Sequence, residues 1–172
     1  DILTVSTPGM AEHTQLYTQR PVFVRRNFAD AATLEAGRMA MDARGPDDGL
    51  FRVAFASGSQ GHEIDLAEII APLSAFITAD PSRRLMVIGH FDLGHLPPKL
   101  AAQVETVKFS TYTKYTAALA RANCAVMPLC DDIFNQCKSA VRVIDAASVG
   151  IPSIVNSVGD LCNVVRNGET GF

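Results

Sequence analysis

The sequence predicts an α/β fold: an open parallel sheet with helices on both faces, preceded by a short βαβ remnant. Three observations carry that prediction. Short apolar, β-branched runs recur along the 172 residues, stretches with helical spacing separate them, and one segment rich in Gly, Pro and Asp divides the chain. Strands that alternate with helices are the signature of parallel βαβ units.

In chain order, "ILTVS" and "PVFVRR" are the first two strand-like runs, and Asp1 to about Met39 reads as the tail of one βαβ region. "AMDARGPDDGL", from Ala40 to Leu50, lacks periodicity and reads as a loop or linker. Phe51 begins a fresh sheet of five strands, "FRVAFAS", "RLMVIG", "VETVKF", "CAVMPL" and "PSIVNS". The expected division is therefore residues 1–42, a domain remnant with its linker, and residues 43–172, a second domain. Between the strands, Leu66, Ile69, Ile70, Leu73, Phe76 and Ile77 repeat at the three-and-four spacing of one helix face. Tyr112, Tyr115, Leu119 and Ala122 make a second stripe of this kind. Both stripes are read as core packing, and the tyrosines are assigned no ligand.

Bulk composition excludes several classes. With 48% hydrophobic and 19% charged residues the chain is globular rather than disordered. A formal net charge of -3 leaves no basic footprint for nucleic acid. Apolar runs such as "LMVIG" fall far short of the roughly 20 residues that span a bilayer, and no signal-peptide pattern opens the chain. Cys124, Cys130, Cys137 and Cys162 show neither a C-x-x-C pair nor zinc-type spacing, so they are expected to be reduced thiols in a cytoplasmic protein. The chain opens on the strand-like "DILTVST" and stops at "NGETGF", where a turn should lead into another element. Both ends are expected to be cut from a longer protein.

Ligands of open parallel sheets bind in the loops at the carboxyl ends of the strands. "ASGSQGHEID" is the first such loop: Gly58, Ser59 and Gly61 offer backbone amides to a phosphate or simply make a tight turn. His62 projects from its mouth, and Glu63 and Asp65 read as complements to the dipole of the following helix. "GHFDLGHLPP" holds His90, Asp92 and His95, but its Gly and Pro content fixes no facing geometry, so no metal site is assigned. "FNQCKSAVRVIDAASVG" is expected to start a helix near Lys138, with Asn135 or Ser139 near its N-terminus accepting backbone hydrogen bonds. Lysine in a first helical turn opposes the macrodipole, which a bound anion would relieve. Seven residues make about 700° of helix and roughly 10 Å of rise, so Lys138 and Asp145 would share a face. Two readings fit that spacing: a nucleotide diphosphate lying across the helix start, or a surface ion network through Arg142.

These residues resemble those of a known family. "SGSQGHEIDL", "RLMVIG", "YTAALARANCAVMPL" and above all "FNQCKSAVRVIDAASVGIPSIVNSVGDLCNVVRNGETGF" are similar to the C-terminal, donor-binding domain of GT-B glycosyltransferases. The closest group is the retaining one called group 1 or family 4. "DILTVSTPGMAEHT" and "PVFVRRNFAD" look like the end of its N-terminal, acceptor-side domain. The resemblance implies a Rossmann-like sheet, one half of a GT-B fold, and sugar transfer from a nucleotide-diphosphate sugar to a glycan or other acceptor. It implies no metal and no other cofactor.

The family carries two glutamates eight positions apart in this region. Asp145 stands where the second contacts the donor ribose, and the first falls on Cys137, whose thiol cannot accept sugar hydroxyls as a carboxylate does. The "KS" pair resembles a branch that acts on bacterial surface polysaccharides. The resemblance then places Lys138 and Ser139 on the diphosphate, with Gly58 and Ser59 close by. His62 would lie near the donor, the backbone around Lys108 and Phe109 would face the base, and Arg142 lies between these groups. Expected partners are the nucleotide sugar and the acceptor domain of a full-length chain. The expected setting is the cytoplasm, at the inner face of a membrane only through missing parts, and the piece alone is expected to bind nucleotide without turnover. A sugar-nucleotide epimerase half-domain and a non-catalytic Rossmann-like binding module are the alternatives.

Overall fold

A computed structural model describes residues 1–58, 62–108 and 110–172. Each strand-like run of the sequence is a strand. In the first unit β1 (Leu3–Val5) and β2 (Val22–Val24) pair in parallel. They are joined by helix α1 (Pro8–Gln15), which Thr7 starts by accepting the Met10 N–H at 3.1 Å; Pro8 costs nothing at the first helical position, because that N–H has no partner in the helix. Helix α2 (Ala31–Asp42) follows, capped by Asp30, and takes in the first three residues of the expected linker.

The second unit is a five-stranded, wholly parallel sheet of β3 (Phe51–Ser57), β4 (Arg83–Gly89), β5 (Val104–Val107), β6 (Cys124–Met127) and β7 (Ser153–Val155), in the order β5-β4-β3-β6-β7. It is the expected α/β, Rossmann-like arrangement. Because side chains alternate across a strand, each central strand feeds two cores. Val53, Phe55, Leu85, Val87, Cys124 and Val126 face Leu66, Leu73, Ile77 and Leu100, which come from α3 (Glu63–Ala67), α4 (Ile70–Thr78) and α5 (Pro98–Ala101). Ala54, Met86, Ile88, Ala125 and Met127 face Ala40, Leu119, Val143 and Ala146. That second layer is α2, α6 (Tyr112–Leu119) and α8 (Val141–Ser148). Short helices α7 (Ile133–Gln136) and α9 (Leu161–Val164) complete the edge beyond β6 and β7. Helix α2 lies against α6 and α8, so it belongs to the packing of the larger sheet.

Two local departures from the sequence reading have clear causes. The single helix expected over Leu66 to Ile77 is two, broken at Glu68 and Ile69. Pro72 lacks an N–H, and its ring clashes with the carbonyl four residues earlier, that of Glu68. The helix expected near Lys138 starts at Val141, with Ala140 as N-cap and no side chain capping it. Asn135 sits instead within α7, whose cap is Asp132, accepting the Asn135 N–H at 2.7 Å.

Candidate functional site

The chain runs outward from β3 to β4 and β5, then returns to place β6 on the other side of β3. The loops after β3 and β6 therefore diverge, and a crevice opens between them at the carboxyl end of the sheet. A cavity of about 500 Å³ lies there. Its floor is the end of β3 (Ala56, Ser57, Gly58) and of β4 (Ile88, Gly89). Gly89 adopts φ 107°, and a Cβ on it would come within 2.0 Å of the Ser57 carbonyl oxygen, so only glycine lets the two strand ends lie this close.

Six residues named from sequence line this cavity: Gly58, His62, Lys138, Ser139, Arg142 and Asp145. The space a side chain at Gly58 would fill is open. Ser59 and Phe109, with Gly61, lie outside the described residues. Lys108 is not among the lining residues; at the end of β5 its side chain is exposed, where its charge is best solvated, and Ser110 meets the cavity instead.

The geometry around Lys138 differs from the expectation. Lys138 and Ser139 precede α8 and do not share a helix face with Asp145. The ion network through Arg142 is absent as well: the Arg142 guanidinium donates to the Ala56 carbonyl at 3.0 Å, and burial holds its pKa below the ordinary range while Asp65 and Tyr115 act the other way. Lys138 Nζ stands 3.7 Å from Asp65 Oδ2 and 4.8 Å from the centroid of the Phe134 ring. The α8 N-terminus, uncapped by any side chain, opens on the cavity through Ala140, Val141 and Arg142. Backbone amides at a helix start are ready donors to an anion.

The first unit braces this segment from behind. Thr7, fully buried, donates its hydroxyl to the Cys137 carbonyl at 2.8 Å. Asn27 donates to Ser139 Oγ at 2.9 Å, which leaves the serine hydroxyl hydrogen to donate elsewhere. Arg26 pairs with Asp160 at 3.1 Å, and the Asp160 N–H reaches the Lys138 carbonyl at 3.4 Å.

Three lining or supporting residues were given another role in the sequence reading. Tyr112 and Tyr115, assigned to the core, line the cavity together with Asp145. Tyr112 is 42% exposed and donates its hydroxyl to Asp145 Oδ1 at 2.7 Å. Burial pushes the Tyr112 hydroxyl up to about 12, aided by the carboxylate, and raises Tyr115 further. Asp145 is 7% exposed; burial raises its pKa above the carboxylate range, against the opposing Tyr112 and Tyr115 hydroxyls. Spacing could have flagged the tyrosines, because residues 112 and 115 follow directly on a strand end, where a helix's first turn faces a ligand crevice.

Asp65, read as a dipole complement, is buried. Its spacing of three from His62 on a helix start was the available signal. Among the described residues no group of three or more His, Cys, Asp or Glu side chains is arranged to hold a metal, and Asp92 instead caps a turn by accepting the Gly94 N–H at 2.9 Å. The four cysteines are free thiols. No helix among the described residues is long and apolar enough to cross a membrane.

No protein-family model matches the chain, and no curated protein matches it. Among solved structures it is similar to WaaG, a glycosyltransferase involved in lipopolysaccharide biosynthesis, with a TM-score of 0.69 at 11% identity over 94% of this chain. The chain spans 45% of the length of that protein. At this identity the likeness is one of fold, and the fold of this chain is Rossmann-like, as in one half of a GT-B fold.

Proposed function

We propose that the cavity binds the nucleotide diphosphate of a sugar donor, and that the chain is the donor-binding part of a retaining glycosyltransferase, as in bacterial surface polysaccharide synthesis. The observation that carries this reading is the uncapped N-terminus of α8, opening on a crevice at the carboxyl end of a parallel sheet beside Lys138 and the Ser139 hydroxyl. A diphosphate fits there because amides, a hydroxyl and an ammonium converge on one anionic group. The nucleoside would lie toward Ser110, Tyr112 and Asp145, where flat rings and a carboxylate offer stacking and a hydroxyl acceptor.

On this reading the same donors stabilise the charge that develops on the leaving diphosphate, which is where preorganised dipoles act most strongly. The diphosphate would then depart without a metal. The acceptor would come from the partner domain of a longer chain, and the whole enzyme would work on the cytoplasmic side of a membrane. A nucleotide-binding module without transfer is the second reading. Cys137 favours it, since the residue is not among those lining the cavity and its carbonyl serves the contact with Thr7.

Calorimetric titration with UDP, GDP and ADP tests the proposal. One diphosphate is expected to bind, with Lys138→Ala weakening it about tenfold or more, as for a charge-assisted hydrogen bond. A folded chain that binds none of the three would overturn it. Sugar transfer by a longer chain carrying the acceptor domain separates the transferase from the module.

A further inference from the structure

We propose that Asp65 is the positioning residue of this cavity: one of its oxygens is fixed to the loop after β6, and the other holds His62 and Lys138 toward the ligand. The consequence for the anion rests on the diphosphate reading above. The hold on His62 does not.

The two carboxylate oxygens have separate partners. Oδ1 accepts the Cys130 N–H at 3.0 Å and the Asn135 side-chain amide at 3.1 Å. Oδ2 lies 2.8 Å from His62 Nδ1 and 3.7 Å from Lys138 Nζ. Asp65 thus joins the start of α3, the loop after β6 and the segment before α8. The side chain is 5% exposed, so water does not compete for these partners. Burial acts to raise its pKa, but the Cys130 N–H, His62 and Lys138 outweigh it and hold the group below the ordinary carboxylate range.

An ionised carboxylate only accepts hydrogen bonds, so His62 must carry its proton on Nδ1. In the neutral ring that leaves Nε2 as the lone-pair nitrogen, on a side chain that lines the cavity. The cavity therefore presents an oriented imidazole beside an oriented ammonium. His62 suits a hydroxyl of the bound donor, and Lys138 suits its phosphate.

Asp65→Asn tests the assignment. Asparagine has a single acceptor oxygen. Keeping that oxygen on Cys130 and Asn135 turns the amide NH₂ toward His62 and Lys138, so it donates to His62 Nδ1 and repels the ammonium. Nitrogen-15 correlation spectra of the imidazoles at about pH 8, where an ordinary histidine is neutral, report the tautomer, with His62 assigned from the signals lost in His62→Gln. The wild-type chain is expected in the Nδ1–H form and Asp65→Asn in the Nε2–H form, with the backbone amide spectrum of a folded chain in both.

In titrations with UDP, GDP and ADP, Asp65→Asn is expected to weaken binding about tenfold, and to weaken it less in a Lys138→Ala background, where only the hold on His62 is left to lose. Either a wild-type His62 in the Nε2–H form or an Asp65→Asn chain with unchanged tautomer and affinity overturns the proposal. The wild-type tautomer decides by itself if the variant does not fold. It needs no ligand, so a chain that binds no diphosphate removes the functional reading while the hold of Asp65 on His62 is still judged.

Discussion

Tyr112→Phe removes one oxygen and isolates the contact on which the nucleoside wall depends. The hydroxyl donates to Asp145 Oδ1 at 2.7 Å, a bond to a group that is 7% exposed, while Tyr112 itself is 42% exposed. Hydrogen bonds to charged groups contribute about 1.5–3 kcal/mol. Water entering from the exposed tyrosine replaces the donor in part, so the expected loss is near the lower end, ~1.5–2 kcal/mol. For a chain of this size that is a fall in Tm of roughly 3–8 °C.

The pH dependence follows from the direction of the Asp145 shift. Burial raises the folded carboxyl above its ordinary value of 3.8. As pH rises past that value the unfolded chain releases its proton first, so the group opposes folding at neutral pH. Tyr112 stabilises the charged form, so the deficit of Tyr112→Phe should be present at pH 7, shrink as pH falls through the raised folded value, and be smallest by about pH 3, where the carboxyl is protonated in both states. Urea and thermal unfolding of the wild type, Tyr112→Phe, Asp145→Asn and the double variant give the coupling between the two groups. A Tyr112→Phe chain within about 0.5 kcal/mol of wild type at pH 7, or a deficit that grows toward low pH, would refute this account of the wall.

Three further substitutions probe the site and the fold around it. Gly9→Ala would put a Cβ 2.3 Å from the Gln136 carbonyl oxygen, an overpacking cost of about 1–3 kcal/mol. It should also weaken diphosphate binding by displacing the segment that leads to Lys138, whereas Gly58→Ala, facing open space, should leave unfolding within about 0.5 kcal/mol of wild type. Arg52 is 5% exposed and bonds Asp48 at 2.6 Å and Glu105 at 3.0 Å. Arg52→Ala should cost about 1–3 kcal/mol by chemical denaturation, since the carboxylates it leaves are open to water, without changing nucleotide affinity, because the residue sits at the start of β3, four residues and roughly 13 Å of strand from Ala56 on the cavity floor.

What the sequence determined by itself is the set of strands and the end of the sheet where a ligand would sit. Runs such as "FRVAFAS" and "RLMVIG" declare themselves because β-branched and apolar residues bounded by turn residues have few other places to go. Given parallel strands, the crevice at their carboxyl ends follows from topology. Gly58, His62, Lys138, Ser139 and Arg142 were legible for that reason, since each lies near a strand end or a helix start; Asp145 was named from its spacing to Lys138 and from the family resemblance.

Tertiary structure decided how those groups are arranged. Lys138 and Asp145 share no helix face, because α8 starts only at Val141. A pattern of small residues does not fix where a helix begins when no side chain caps it. The tyrosine stripe is core at Leu119 and Ala122 but cavity wall at Tyr112 and Tyr115. Periodicity gives a face, and only the neighbouring elements decide whether that face meets protein or open space. Asp65 reads locally as an ordinary first-turn acid. Its partners Cys130, Asn135 and Lys138 stand 65 to 73 positions along the chain, and contacts at that separation exist only after β6 has paired with β3.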